Sequence, residues 1–309
     1  MRVQRMNILK KAPVGAFFIA SLFLLQWSFP AYALCPLDPA EKAVEAVQIE
    51  AVFDGDTVRL TDGRKVRLVG INTPEVAHRG KPEEPLALEA RQQLEALLKQ
   101  KPIYLLVGQD THDHYGRVLG HLFTGQGESI IAALLQQGAG FQVAILPNLR
   151  YVDCYSQAQA QARSKRLGVW GHDYYDAIPA TSAELKGGYA RIQGQVESVT
   201  MSKKAMFVEL TGQVSLKIEK KVALTIDDAL MDQLVALSRA PKGSAELRLE
   251  ARGWLSDRLT WNGSTPELVR KGQQKRYQMK ITHQSSWETL SQDSTVAQVK
   301  PFLDSPIFY

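Results

Sequence analysis

Polar and apolar positions alternate along residues 47–53, where Val47, Ile49, Ala51 and Phe53 interleave with Gln48, Glu50 and Val52, and this pattern predicts a strand. Asp54-Gly55-Asp56 reads as a turn, residues 57–60 as a second strand, Asp62-Gly63 as a hairpin signal and residues 65–71 as a third strand. Pro85 then opens a helix whose apolar positions Leu86, Ala90, Leu94, Leu97 and Leu98 keep the 3.6-residue period. Strands follow at 103–107 and 118–123, around a polar loop. Ser129 is a good N-cap for a short helix ending near Gly138, and a third helix is predicted over 149–166, stopped by Gly168. After a short stretch at 177–188 containing Pro179, Ser182 and Gly187-Gly188, the pattern turns to strands at 190–200, 205–210, 214–218, 245–255 and 277–283, with one helix at 227–238. Five strands and a helix predict a second small barrel.

Composition adds limits. With 309 residues, 45% apolar and 22% charged, the chain is globular and long enough for about two domains. The formal charge of +5 is concentrated at the start: residues 1–33 carry Arg2, Arg5, Lys10 and Lys11 and no acidic residue. An apolar run over 14–25 and Pro30-Ala31-Tyr32-Ala33 follow, giving the three regions of a secretory signal peptide. The run is shorter than the ~20 residues a membrane span needs, so no span is expected in the mature chain. Without this segment the charge falls to about +1, split as −3 over 34–180 and +4 over 181–309. The expected organisation is a signal peptide (1–33), a first domain (34–176), a linker (177–188), a β-barrel module (189–288) and a polar tail (289–309). The two cysteines, Cys35 and Cys154, cannot build a multi-bridge scaffold or a four-cysteine zinc site. In an oxidising compartment they are expected to form one bridge, the alternative being two separate thiols.

Three clusters carry chemistry: Asp54-Gly55-Asp56-Thr57, the run from Arg67 through Asn72-Thr73-Pro74-Glu75, and Asp113-His114-Tyr115-Gly116-Arg117. Each alone is ordinary turn or surface chemistry. Together they hold what phosphodiester hydrolysis needs: a carboxylate to position or deprotonate water, oxygen ligands for a hard cation, and two arginines to grip a phosphate. In order and in helix pattern they resemble the thermonuclease (staphylococcal nuclease-like) family over residues 48–170, including the closing Leu167-Gly168-Val169-Trp170. The resemblance implies an α+β fold, mainly β: a five-stranded OB-type barrel with three helices, here followed by a second OB-like barrel. It implies that Asp56 is a calcium ligand, with Asn72 and the backbone carbonyl of Thr73 beside it. It implies that Glu75 is the catalytic carboxylate and that Arg67 and Arg117 bind the phosphate. Asp113, His114 and Tyr115 become candidates to contact substrate. One position departs from the family pattern, because Asn72 stands where a second ligand aspartate is usual. An amide oxygen still coordinates calcium but brings no charge.

His112 and His114 form a His-x-His pair without an obvious third ligand and read as a surface feature. In the C-terminal module, Tyr189, Phe207, Trp254, Trp261, Tyr277 and Trp287 interleave with lysines and arginines; most of these rings are expected in the core, the alternative being a surface that stacks bases, and Trp261, next to Asn262-Gly263, is the expected exposed ring. The expected protein is an exported, periplasmic or secreted, monomeric, calcium-dependent nuclease. It would act on DNA and/or RNA and leave 3′-phosphates. The alternative is a catalytically inactive tandem-OB nucleic-acid-binding protein, which Asn72 favours.

Overall fold

A computed structural model describes residues 35–38, 41, 43–78, 80–243 and 246–290. The expected signal peptide and all of the expected tail beyond residue 290 lie outside the described residues. The first barrel is formed by β1 (Val44–Val47), β2 (Ile49–Val52), β3 (Thr57–Leu60), β4 (Lys65–Leu68), β6 (Ile103–His112) and β7 (Val118–Phe123), with the short β5 (Ile71–Asn72) between β4 and the first helix. The helices are α1 (Ala87–Leu97), α2 (Ile130–Gln136) and α3 (Val152–Ser164), and a second short strand, β8 (Phe141–Gln142), lies between α2 and α3. The sheet order is β1-β6-β7-β4-β3-β2. Since β1 and β2 are two arms of one strand broken only at Gln48, the sheet closes as a five-stranded barrel. Closure removes the exposed sheet edges and leaves an interior for side chains. Leu60, Leu68, Ile71, Leu94, Leu105 and Leu122 fill it from strands and helix alike.

The second barrel repeats these pairings without sequence repetition. Its strands are β9 (Ile178–Pro179), β10 (Gly188–Met201), β11 (Ala205–Leu210), β12 (Val214–Glu219), β13 (Arg248–Asp257), β14 (Tyr277–Ile281) and β15 (Trp287–Leu290). Helices α4 (Lys220–Ala223) and α5 (Asp228–Arg239) sit between the third and fourth barrel strands, and α6 (Thr265–Arg270) between the fourth and fifth. β10, β11 and β12 form a meander, β14 runs parallel to β12, and β13 pairs with both β14 and β10 to close the ring. In the first barrel, likewise, β7 runs parallel to β4 and β6 pairs with both β7 and β1. The chain thus has an α+β fold of two OB-type barrels.

The expected elements and the structure differ in several places: the expected strand 65–71 breaks into β4 and β5, β6 runs on to His112 where a polar loop was expected, and α4, α6 and β15 were not expected. The stretch 177–188 does not run free: Ile178 and Pro179 pair with Ile192 and Gln193, and Ala180 and Leu185 are buried in the second core. The helix expected from residue 149 begins at Val152. Residues 289 and 290, expected in the tail, extend β15 along β13. Among the described residues, no helix is long and apolar enough to cross a membrane. Cys35 and Cys154 form a disulfide that ties the start of the described chain to α3.

The two barrels share a small third core of Phe141, Ala162, Val169 and Trp170, with Tyr175 and Tyr189 packed against it. Three guanidinium groups face the Trp170 ring: Arg163 at 5.2 Å, Arg191 at 4.9 Å and Arg252 at 5.6 Å. Glu250 on β13 answers them, accepting from Arg191 Nε at 2.9 Å and NH2 at 3.0 Å, with Arg163 at 3.5 Å. Burial pushes the Glu250 carboxyl up, but Arg191, Arg163 and Arg252 together hold it below the ordinary glutamate range. Removing one partner of such a buried network leaves charges uncompensated. Glu250→Ala is therefore expected to lower the unfolding free energy by ~3–5 kcal/mol in urea titrations. A depressed carboxyl pKa stabilises the fold above the unfolded value, and this contribution disappears as pH falls through the acidic range. The difference between wild type and Glu250→Ala should therefore shrink on acidification. A difference that grows at low pH would contradict this account.

Candidate functional site

Asp56 is the centre of the site. Its side chain is buried, and its Oδ2 accepts from Thr73 N at 2.9 Å and Thr73 Oγ1 at 3.1 Å, while Oδ1 accepts from Thr57 Oγ1 at 3.1 Å. Arg67 NH2 lies 3.0 Å from Asp56 Oδ2. The same guanidinium donates through NH1 to the carbonyls of Leu68 (2.7 Å) and Ile71 (2.8 Å), and through NH2 to Asn72 Oδ1 (3.3 Å). These bonds follow from local register. Arg67 pairs with Thr57 across β3–β4, which puts it beside the 54–56 turn, and Leu68 N donates to Asp56 O at 2.8 Å.

Behind these residues, β5 and β8 pair, with Asn72 opposite Phe141. The chain passes so close here that a Cβ on Gly140 would stand 2.4 Å from Asn72 O. Glycine is required because the obstacle is backbone, which cannot swing aside as a side chain can.

Glu75 lies just beyond, on an exposed stretch of chain. Glu75 N donates to Glu84 Oε2 and Glu84 N to Glu75 O, both at 3.0 Å, so the excursion 75–84 is laced at its base. Burial and the Asp56 charge push the Glu75 carboxyl up, partly offset by Arg67.

Arg117 enters from the neighbouring strand. It precedes Val118, whose parallel partner is Val66, while Leu119 partners Arg67, so Arg117 and Arg67 share the half-exposed face of the β4–β7 ladder. Asp113 takes the Nε edge of Arg117 at 2.7 Å and also accepts from the backbone N–H groups of Tyr115 and Arg117, both at 2.9 Å. Expected as a substrate contact, Asp113 is thus engaged in shaping the turn and holding Arg117. His114 and Tyr115 lie side by side on the loop, with ring centroids 3.8 Å apart, and Tyr115 is 74% exposed, open for contact with a flat ligand.

Trp261 stands apart from this cluster. It follows β13 on the second barrel, with Arg258 5.5 Å from its ring, and among the described residues no hydrogen bond or ring contact joins it to the Asp56–Glu75 group. Trp254 on β13 is exposed to a similar extent, whereas Tyr277 and Trp287, also in the basic-aromatic set, are core residues.

Sequence reasoning missed two participants. Asp54 Oδ1 accepts from Asp56 N at 2.9 Å, and burial together with the Asp56 charge pushes the Asp54 carboxyl up to about 7. The Asp-Gly-Asp spelling already put two carboxylates in one turn, a signal for such coupling. Glu84 is the other, and only the folded chain places it against Glu75. Among the described residues, no group of three or more His, Cys, Asp or Glu side chains is arranged for a metal ion. The oxygen donors that do converge are the carboxylate of Asp56 with that of Asp54 against it, the Asn72 amide oxygen and the neighbouring backbone. An all-oxygen set with two close carboxylates and one guanidinium fits a hard divalent cation and does not fit a thiophilic one.

Comparison with known proteins gives a family and several relatives. The family described as "Staphylococcal nuclease homologue" matches residues 65–172, which end before β10. The chain is 30% identical over 129 residues to a thermonuclease of Staphylococcus intermedius, covering 41% of this chain and 76% of that protein. It is 26% identical over 162 residues to a thermonuclease of Staphylococcus hyicus, covering 52% and 94%. It is 27% identical over 146 residues to Endonuclease YncB of Bacillus subtilis (strain 168), covering 45% and 68%.

The tight β5–β8 passage makes a prediction. Gly140→Ala should destabilise the protein by ~1–3 kcal/mol, because the Asn72–Thr73 backbone must move to admit the methyl group. A chemical denaturation midpoint equal to wild type would show that this backbone is not held where the hydrogen bonds to Asp56 place it.

Proposed function

The chain belongs to the staphylococcal nuclease family and is a nuclease, a phosphodiester hydrolase, and on that premise we propose that it is exported, requires calcium and acts as a monomer on DNA and/or RNA to leave 3′-phosphates. The observation that carries this reading is the Asp56–Arg67 pair, in which Arg67 also donates to the Asn72 amide oxygen and Asp56 accepts from the Thr73 backbone that leads to Glu75.

Asp56, Asn72 and the backbone at Thr73 would hold the cation, with Asp54 supporting Asp56. Bound there, calcium supplies positive charge at a phosphate oxygen. Glu75 accepts a proton from the attacking water or orients it, and its raised pKa makes it a better acceptor than an ordinary surface glutamate. Arg67 and Arg117 offer planar paired donors to the phosphate oxygens as charge develops. Asp113 occupies the Nε edge of Arg117, which fixes the guanidinium plane while its terminal nitrogens remain for substrate. Tyr115, beside Arg117, offers its ring to a nucleotide. Export is supported by the pattern of residues 1–33 and by the Cys35–Cys154 disulfide, which suits an oxidising compartment.

The second reading, a nucleic-acid-binding protein without turnover, draws on Asn72. Arg67 bridges Asp56 and the Asn72 amide, so the cation-binding gap has one fewer negative charge than two aspartates would give. Two measurements separate the readings. Wild-type protein is expected to cleave single-stranded DNA or RNA in calcium and to stop in EGTA, and Glu75→Gln should lose ~10²–10⁴-fold in turnover while still binding substrate. Substrate binding without cleavage in calcium, magnesium or manganese would establish the second reading instead. Asn72→Asp, by restoring a carboxylate, should tighten calcium binding in calorimetry. Unchanged or weaker affinity would move the cation elsewhere.

A further inference from the structure

The second barrel carries its own cationic surface, remote in sequence from the cleavage site. In β11, β12 and β14, alternate residues Met206, Val208, Leu216, Ile218, Met279 and Ile281 are buried, so the residues between them face outward. The registers Thr200↔Phe207, Phe207↔Lys217 and Lys217↔Lys280 line three of these, with Thr200 of β10, into one row across β10, β11, β12 and β14. The row spans three inter-strand steps, ~14 Å.

More lysines converge on one end of it. Lys280 Nζ donates to Glu219 at 2.9 Å, and Lys280, Lys217 and Lys221 together hold the Glu219 carboxyl below its usual range. Ala205 pairs with Glu219, and Lys220 N donates to Lys204 O at 3.1 Å, which folds the Lys203-Lys204 hairpin against Lys220 and Lys221. Lys217, Lys221 and Lys280 therefore gather around Glu219, and the backbone pairing brings Lys204 and Lys220 next to that end of the row. A folded protein gains nothing from crowding like charges on a sheet face, and the complement to such a face is a polyanion. An aromatic ring stands within the row: Phe207 is half-buried between Thr200 and Lys217, with one side available to a flat partner.

We propose that this strip is an anchoring site for the single-stranded polynucleotide substrate, with the lysines following phosphates and Phe207 stacking on a base. It rests on the nuclease reading for the choice of polynucleotide over other polyanions. Bound there, a strand would be tethered to the protein away from Asp56 and Glu75, and long substrates would be held more tightly than short ones.

The test is fluorescence anisotropy of the full mature chain with a labelled single-stranded oligonucleotide, in EDTA so that nothing is cleaved, across a salt series. Lys217→Gln/Lys280→Gln should bind about tenfold more weakly, and its salt dependence should fall by ~1.4 in log–log slope, as expected for two phosphate contacts on a single strand. Lys217→Arg/Lys280→Arg should retain wild-type binding, which separates charge loss from misfolding. Phe207→Leu should weaken oligonucleotide binding but leave inorganic polyphosphate binding unchanged. Cleavage of a dinucleotide-sized reporter should be the same in wild type and in all three variants. Unchanged oligonucleotide affinity and slope in the Gln variant would overturn the proposal. So would a loss of binding to phosphatidylserine vesicles, to which exposed Met201 and Leu224 could contribute, with oligonucleotide binding intact. If wild type fails to cleave even the reporter, the nuclease reading fails while the anisotropy result stands on its own.

Discussion

Arg67 and Asp56 face each other at 3.0 Å with little solvent on either side chain, and the surrounding chain is arranged to satisfy them. A buried ion pair is favourable only when its remaining donors and acceptors are also met. Here the partners come from different places: Thr57 and Thr73 donate to the carboxylate, and the carbonyls of Leu68 and Ile71 accept from the guanidinium. The turn at 54–56, the end of β4 and the start of β5 are thus tied at one point. The stretch that carries Glu75 leaves directly from that knot, so the position of the Glu75 carboxylate depends on a pair with which it shares no hydrogen bond.

Barrel topology explains why cations collect where they do. In both barrels the third and fifth strands run parallel to each other, and their outward faces are adjacent. In the first barrel this ladder brings Arg67 and Arg117 to one face; in the second it puts Lys217 directly beside Lys280. The difference lies in what surrounds them. In the first, carboxylates and tight backbone turns surround the arginines and fix their direction. In the second, long flexible lysines face solvent around one glutamate, suited to tracking a charged chain and not to orienting a reaction.

The junction between the barrels is a third element of the design. Trp170, at the end of the first barrel's sequence, receives Arg163 from its own side and Arg191 and Arg252 from the other, and Glu250 neutralises part of that charge from within the second sheet. Phe141, which partners Asn72 in β5–β8, stacks on Tyr189 of the second barrel. The strand that backs the site is therefore also part of the shared core.

Much of this was legible along the chain. Period-two and period-3.6 patterning marked the main strands and helices of both barrels but not β9, β15, α4 or α6, because burial of alternate or every third to fourth residue is a local consequence of strand and helix geometry that elements of two to six residues are too short to display. The Asp-Gly-Asp turn, the Arg67–Glu75 run and the Asp113–Arg117 loop were recognisable because their chemistry is spelled in short contiguous stretches. What sequence could not supply was contact between distant segments: Glu84 at the base of the Glu75 excursion, Asp113 engaged by Arg117, and the stretch 177–188 drawn into the second sheet. The placing of Lys217 beside Lys280, with Glu219 and Lys221 at the same end, belongs to the same class. Register across four strands decides it, and register is set by closure of the barrel, which no local pattern encodes.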